Sequence, residues 1–379
     1  MALADKIKRH INSSQGKTRK EPLWKGPEVD GITFSLLSRF LSCRERFRLL
    51  VVEGWRPEDR FNHRLEYGNM WHVCEESYAG TVVQWSERLM LYARSLCKRY
   101  PTQQEEIDKW YNVCKLQFPM YVDYWSKHPD VKDRTPIFQE QVFDVPYDLP
   151  SGRTVRLRGK WDSVDLIGKG RGAGIYLQEN KTKGDIQENQ IKRQMTYDLQ
   201  TMLYLVALSE CQGSVATKQF GIPDSWNRVK DVNLAGVRYN VIRRPLSGGK
   251  GTIVQHKPTK SNPLGETRSQ YYARLKTILE EDLSSHFMRW KVEISEGDIL
   301  RFRRECLDPI LEQLCKWWDA IKMCPTGEVA LSEALTWRHP FGSVNWLDEG
   351  GSSDLDEYLA TGSTVGLRQV EELFPELKE

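Results

Sequence analysis

Three residues near the middle of the chain have the types and spacing that metal-assisted hydrolysis requires. Asp162 lies in GKWDSVDL, and Glu179 and Lys181 lie in YLQENKTKG. On an extended strand, residues two apart project to one side, so Glu179 and Lys181 share a face. Pairing of the two strands brings Asp162 beside Glu179. Two carboxylates with an adjacent lysine make a site for a hard divalent cation and the water it activates. Buried together without a cation or a shared proton, the carboxylates would repel each other. The competing reading is a solvent-facing strand on which Glu179 and Lys181 form ordinary cross-strand ion pairs, and a single ExK triplet does not separate the two.

The surrounding sequence supplies elements able to position these groups. IFQEQVFDV, TVRLRGKWDSVDLI and GIYLQENKT read as strands, separated by the turn-forming DLPSGR and GKGRGAG. A long helix is expected over roughly 188–211, with Met195, Leu199, Met202, Leu203, Val206 and Ala207 on its apolar side. LAGVRYNVIRRP then reads as a further strand, and strands in this order around one helix predict a mixed α/β core. Gln200 and Tyr204 fall one turn apart on the helix and so face one way; Gln194 and Tyr197 are the alternative polar pair. Upstream, a helical, aromatic-rich stretch from Tyr67 to about Tyr124 carries His72 in YGNMWHVCEE, with Glu76 one turn beyond. Asp165, three residues past Asp162, points to the opposite strand face and reads as no ligand.

Taken in order, His72, Gly159-Lys160-Trp161-Asp162, Glu179-Asn180-Lys181 and Gln200-Thr201-Met202-Leu203-Tyr204 resemble the PD-(D/E)xK nuclease superfamily. Within it they resemble the RecB-type exonuclease group, which reads His, GxxD, ExK and QxxxY. The likeness spans roughly residues 32–242 and implies a restriction-endonuclease-like mixed sheet with flanking helices and an N-terminal helical lobe. It implies a metal-dependent deoxyribonuclease, an exonuclease acting at DNA ends in recombination, repair or phage replication. His72, Asp162, Glu179 and the backbone carbonyl of Asn180 would hold Mg²⁺ or Mn²⁺. Lys181 would orient and help deprotonate the attacking water and offset transition-state charge, with Gln200 and Tyr204 positioning the phosphate or nucleotide. Two rivals stand beside this reading: a structure- or site-specific endonuclease, and a catalytically silent DNA-binding scaffold.

Some members of the group carry an iron–sulfur cluster on one cysteine before the core and three after it. Cys43 stands where the first would be, but the trailing three are missing from RHPFGSVNWLDEGGSSDLDEYL, and no cluster is expected. Cys306, Cys315 and Cys324 do not substitute, because nine residues turn a helix by half a revolution at ~100° per residue. The eight cysteines form no CxxC pair, so zinc ribbons and thioredoxin chemistry are excluded. No Walker A sequence is present, and strand separation would have to come from a partner, a helicase or a single-strand annealing protein.

Charge is unevenly spread along the 379 residues, whose formal net charge is +3. Residues 1–25 hold seven Lys/Arg against two acids, residues 243–263 hold only bases, and residues 345–379 hold nine acids against two bases. Separate basic segments suit a polyanion partner such as DNA, and Arg39, Arg44, Lys183, Arg243, Arg244 and Lys250 are the expected phosphate contacts. Tyr67, Trp71 and Trp161 are candidates for stacking on unpaired bases, although most of the thirteen tryptophans should pack in the core. No apolar run approaches the ~18–20 residues that span a bilayer, so no membrane partner and a cytoplasmic location are expected. The predicted organisation is a flexible basic arm (1–30), a helical lobe (31–135), the nuclease core (136–244), a basic flexible loop (245–265), and C-terminal helices with an acidic tail (266–379).

Overall fold

The computed structural model describes residues 21–42, 44–57, 61–79, 84–128, 132–185, 189, 193, 195, 198–216, 220–246, 253–260, 263–323 and 363–377. Its longer helices are α1 (Phe34–Ser42), α2 (His63–Ala79), α3 (Trp85–Arg99), α4 (Gln104–Ser126), α5 (Leu199–Glu210), α6 (Arg268–Glu281), α7 (Glu296–Phe302) and α8 (Asp308–Met323). The strands β1 (Arg134–Asp148), β2 (Thr154–Ile167), β3 (Gly174–Lys183), β4 (Leu234–Arg243) and β5 (Phe287–Glu293) form one sheet in that order. β2 and β3 run antiparallel, β3 and β4 parallel, and β4 and β5 antiparallel. The five residues between β1 and β2 are too few for a parallel crossover, so these two also form a hairpin. The one parallel pair is bridged by α5, as a parallel connection demands.

The chain divides into two compact units. The larger, Arg60–Phe143 with Lys160–Phe302, contains α2 to α7, β3 to β5 and the adjoining halves of β1 and β2. Its core joins Tyr67, Met70, Trp71 and Cys74 of α2 to Trp110 and Phe118 of α4, Ile242 of β4 and Phe287 of β5. β3 is buried continuously from Gly174 to Asn180, the mark of a central strand covered on both faces. Gly236 sits where β4 shifts register against β3; at φ +143°, a Cβ there would lie 2.1 Å from the Val292 carbonyl, so no side chain fits.

The smaller unit comprises Met1–Asp59, Asp144–Gly159 and Arg303–Glu379. Trp24 is fully buried in it against Phe47 and Trp318, and Ile32 forms a bridge to Leu157. Residues 21–30 are therefore packed and do not belong to a mobile arm, because the indole of Trp24 supplies an apolar anchor that a basic composition conceals. Arg153 of this unit pairs with both Glu28 and Asp319.

Two further departures concern elements. The helix expected over 188–211 is interrupted: residues 189, 193 and 195 are helical, but Asp198 has extended backbone, and its carboxylate accepts the Thr201 N–H to cap a new helix from Leu199. Residues 287–293 form β5 within a stretch read as wholly helical, since FMRWKVE alternates with period two. The described part of the loop 245–265 is tied to α6, with Tyr271 donating to the Ile253 carbonyl and Arg274 to that of Val254.

Candidate active site

The site is built where the β2–β3 ladder opens. Their register pairs Ser163 with Gln178 and continues to Ile167 with Gly174. One step further, the same register sets Asp162 opposite Glu179, but here the backbone N–H of Asn180 donates to Asp162 Oδ2 at 2.7 Å. In an extended strand a residue's N–H and C=O point to the same neighbour, so the Asn180 carbonyl faces the same opening.

His72 reaches this opening from α2. Its Nδ1 lies 3.1 Å from Glu140 Oε1 and 3.8 Å from Asp162 Oδ1. One ligand atom from each of His72, Glu140 and Asp162 lies within 4.8 Å of the others. Glu140, on β1, has φ +47°, a left-handed backbone rarely adopted by a residue with a side chain; such strain clusters at functional sites. Its Oε2 pairs with Lys160 at 3.1 Å.

Glu179 stands outside that trio. It is buried, its Oε2 accepts from Lys181 Nζ at 2.9 Å, and its Oε1 has no partner among the described residues. Lys181 Nζ also donates to Gln200 Oε1 at 2.7 Å, so α5 holds the lysine in place. Tyr204, one turn on, packs edge-on to Phe143, whose ring stacks on Trp161. Burial and Glu179 raise the Tyr204 phenol above its usual range, so it stays protonated.

On the other face of β3, Asn180 is locked by its side chain. Its amide donates to Glu75 Oε2, and its Oδ1 accepts from Asn240 at 2.9 Å and from Gln178 at 3.3 Å. Glu75 Oε1 accepts from Tyr121 at 2.7 Å. Asp165 does point away from the site, fully buried between Arg134 and Arg238.

Crowded carboxylates set the electrostatics. Burial, reinforced by Asp162, pushes the Glu179 carboxyl up to about 7 even though Lys181 opposes it. Burial likewise lifts Glu75 to about 7. Burial disfavours the imidazolium of His72, but Asp162, Glu140 and Glu75 outweigh it and raise the group to about 10. Burial also works against the Lys181 ammonium, and Glu179 and Asp162 again prevail, holding its proton more tightly than usual. Excess negative charge with an orphaned buried carboxylate oxygen suits a divalent cation, and imidazole with carboxylate oxygens is a donor set fit for Mg²⁺ or Mn²⁺.

A family model described as the PD-(D/E)XK nuclease superfamily matches residues 32–305, most of the chain. The chain belongs to the PD-(D/E)XK nuclease superfamily. Its restriction-endonuclease-like fold is the mixed sheet with flanking helices described above, and nucleases of this superfamily cleave with divalent metals. No curated protein matches the chain.

Of the residues expected from the PD-(D/E)XK pattern, the structure gathers His72, Asp162, Glu179, Lys181, Gln200 and the Asn180 backbone around one opening. It adds Glu140 and Glu75, which sequence reasoning missed. Glu75 rather than Glu76 joins the network, and both share the helix face of His72 at one-turn spacing, so sequence gave no means to choose. Glu140 had one available signal: an acid between Phe138 and Val142 on one alternating face of IFQEQVFDV.

The expected nucleic-acid contacts fare differently. Lys183 lies two residues beyond Lys181 on the same face, half-buried, and burial together with Lys181 lowers its pKa. Arg243 is half-buried, but Arg244 is turned inward, buried and bonded to the Thr182 carbonyl at 3.1 Å. In the smaller unit, Arg39 is half-buried, while Arg44 is buried against the Phe40 ring. Lys250, Gln194, Tyr197, Cys43 and Cys324 lie outside the described residues. Tyr67, Trp71 and Trp161 have no exposed surface, which removes them as base-stacking platforms: their rings pack the core.

Proposed function

We propose that the protein is a Mg²⁺- or Mn²⁺-dependent deoxyribonuclease that hydrolyses phosphodiester bonds as an exonuclease at DNA ends, in recombination, repair or phage replication. The observation that carries the nuclease reading is the convergence of His72, Glu140 and Asp162 beside the orphaned Glu179 oxygen, with Lys181 fixed by Gln200. The preference for ends rests on the His, GxxD, ExK, QxxxY order of the RecB-type group.

In this reading His72, Glu140, Asp162 and Glu179, with the Asn180 carbonyl, hold the cation. A bound divalent ion supplies an activated water and offsets charge on the phosphoryl oxygens. The Asn180 N–H fixes one Asp162 oxygen and leaves the other facing His72. Lys181, held protonated next to Glu179, presents positive charge to the pentavalent transition state and orients the incoming water. Gln200 fixes the lysine rotamer, and the protonated Tyr204 hydroxyl offers a neutral hydrogen bond. Lys183 and Arg243 serve as phosphate contacts along the strand. A helicase or a single-strand annealing protein would supply or receive the strand.

The test is cleavage of end-labelled linear and closed circular DNA with Mg²⁺, Mn²⁺ or EDTA, alongside Lys181→Ala. Metal-dependent shortening of linear DNA alone, lost in the variant, is the expected result. Cleavage of circles identifies an endonuclease. DNA binding without cleavage under either metal leaves a scaffold or a nuclease awaiting its partner.

A further inference from the structure

A cavity of about 210 Å³ opens beside the metal ligands, on the opposite face of β3 from Glu179 and Lys181. Glu140 and Asp162 line it, and neither Lys181 nor Gln200 does. Its wall is aromatic: Phe118, Tyr121 and Trp125 of α4, with Val122 between them and Tyr78 of α2 on the margin. Tyr78 is 60 % exposed although its ring contacts Phe118, so it offers a large flat surface to solvent. Trp125 is 6 % exposed, and its indole N–H has no partner among the described residues.

We propose that this cavity receives one unstacked nucleobase of the DNA strand under cleavage, an inference that rests on the nuclease reading above. Size argues for a single ring system, since the space is below the ~300–1,000 Å³ of pockets for larger ligands. Charge argues for a base and against a phosphate, because the four acids Glu75, Glu76, Glu140 and Asp162 border the cavity against two cations, of which Arg134 is paired with Asp165 and Arg289 lies over the Trp125 ring. Glu75 and Glu76, which are not among the proposed cation ligands, repel a phosphate but accept hydrogen bonds from exocyclic amino groups, while the Trp125 N–H faces a shortage of acceptors that a base nitrogen or carbonyl relieves. The aromatic wall takes the ring by stacking and edge contacts, which tolerate any base. A strand anchored in this way places its adjoining phosphate at the cation that Glu140 and Asp162 would hold, and only unpaired nucleotides can comply. The substrate class is thus DNA with a single-stranded segment at the cut.

The experiment uses the full chain with Ca²⁺ in place of Mg²⁺, and single-stranded oligonucleotides bearing 2-aminopurine at successive positions from one end. The expected result is a fluorescence change at one position only. That change should disappear in Tyr78→Ala and in Val122→Phe, which fills the cavity, with DNA binding weakened about ten-fold, as expected for one lost base–aromatic contact. Tyr78 is exposed and outside the metal site, so Tyr78→Ala leaves the fold and the ligands intact. A uniform response along the strand, or a position-specific response unchanged in both variants, overturns the proposal. Site-specific insertion without metal-dependent cleavage in Mg²⁺ or Mn²⁺ keeps the cavity assignment and overturns the nuclease reading. Absence of DNA binding overturns both.

Discussion

The backbone N–H of Asn180 bonds directly to the Asp162 carboxylate, across strands whose ladder has ended one residue earlier. A main-chain donor therefore orients the acid, and the geometry survives replacement by an isosteric amide. Asp162→Asn keeps an oxygen for that N–H while losing the negative charge. The variant should melt within a few degrees of the wild type, and cleavage should fall by about 100-fold or more, at the upper end of what disturbing a metal site costs. Thermal melting beside single-turnover kinetics checks this, and a large drop in melting temperature would mean that Asp162 is structural.

Metal affinity should rise with pH. In the metal-free protein Glu179 holds a proton up to about pH 7 and His72 up to about 10. A cation has to displace those protons, so the apparent affinity weakens as pH falls through 7 and protons are released on binding. Calorimetric titration with Mn²⁺ in two buffers of different ionisation enthalpy measures the release directly. Equal heats in both buffers would refute the expectation.

Lys181 and Glu179 depend on each other. In Lys181→Met, Glu179 loses its only described ion-pair partner, and its carboxyl should titrate above about 7. Cleavage should fall about 100-fold through loss of a transition-state cation. Gln200→Ala, which frees the lysine without removing it, should cost only about ten-fold. Equal losses in the two variants would show that placement, not charge, is the whole contribution.

Beneath the site, Arg238 and Asp165 are both fully buried and paired at 2.8 Å. Arg238→Met leaves Asp165 with Arg134 and the Ser163 hydroxyl and strips Gln178 of a donor. Breaking a buried pair from one side costs about 3–5 kcal/mol. Urea denaturation should show this loss, whereas the double change Arg238→Met with Asp165→Leu should recover part of it.

Acid should destabilise the fold through His286. Burial, with Arg243 nearby, lowers this imidazole to about 4 in the folded state. The unfolded chain takes up a proton from about pH 6.5 downward, so the stability is fully present above 6.5 and is lost as pH falls toward 4. His286→Gln should flatten that part of the stability profile.

The β2–β3 pairing, the shared face of Glu179 and Lys181 and the one-turn spacing of Gln200 and Tyr204 were legible because side-chain alternation and helical spacing are local rules; the Gln200–Lys181 bond was not, Gln200 having read as a contact to phosphate or nucleotide. Glu140 was not, since only the tertiary approach of α2 to β1 gives that carboxylate a purpose. Arg44 and Arg244 read as surface charge because sequence carries no burial for an arginine whose partners lie elsewhere in the chain. Trp24 escaped notice for the opposite reason, as a single aromatic in a basic segment makes no periodic pattern.

His72, Glu140, Asp162, Glu179 and Gln200 come from five different elements, α2, β1, β2, β3 and α5. None of these groups finds the others through local chain structure. Every pairing requires loops to close, and the closure entropy is repaid only when the sheet and its helices are in place. A partly folded chain thus has no assembled cation site, and uptake of a divalent cation becomes a gauge of completed folding. Nuclease chemistry is withheld from the nascent chain until its last contributing element has arrived.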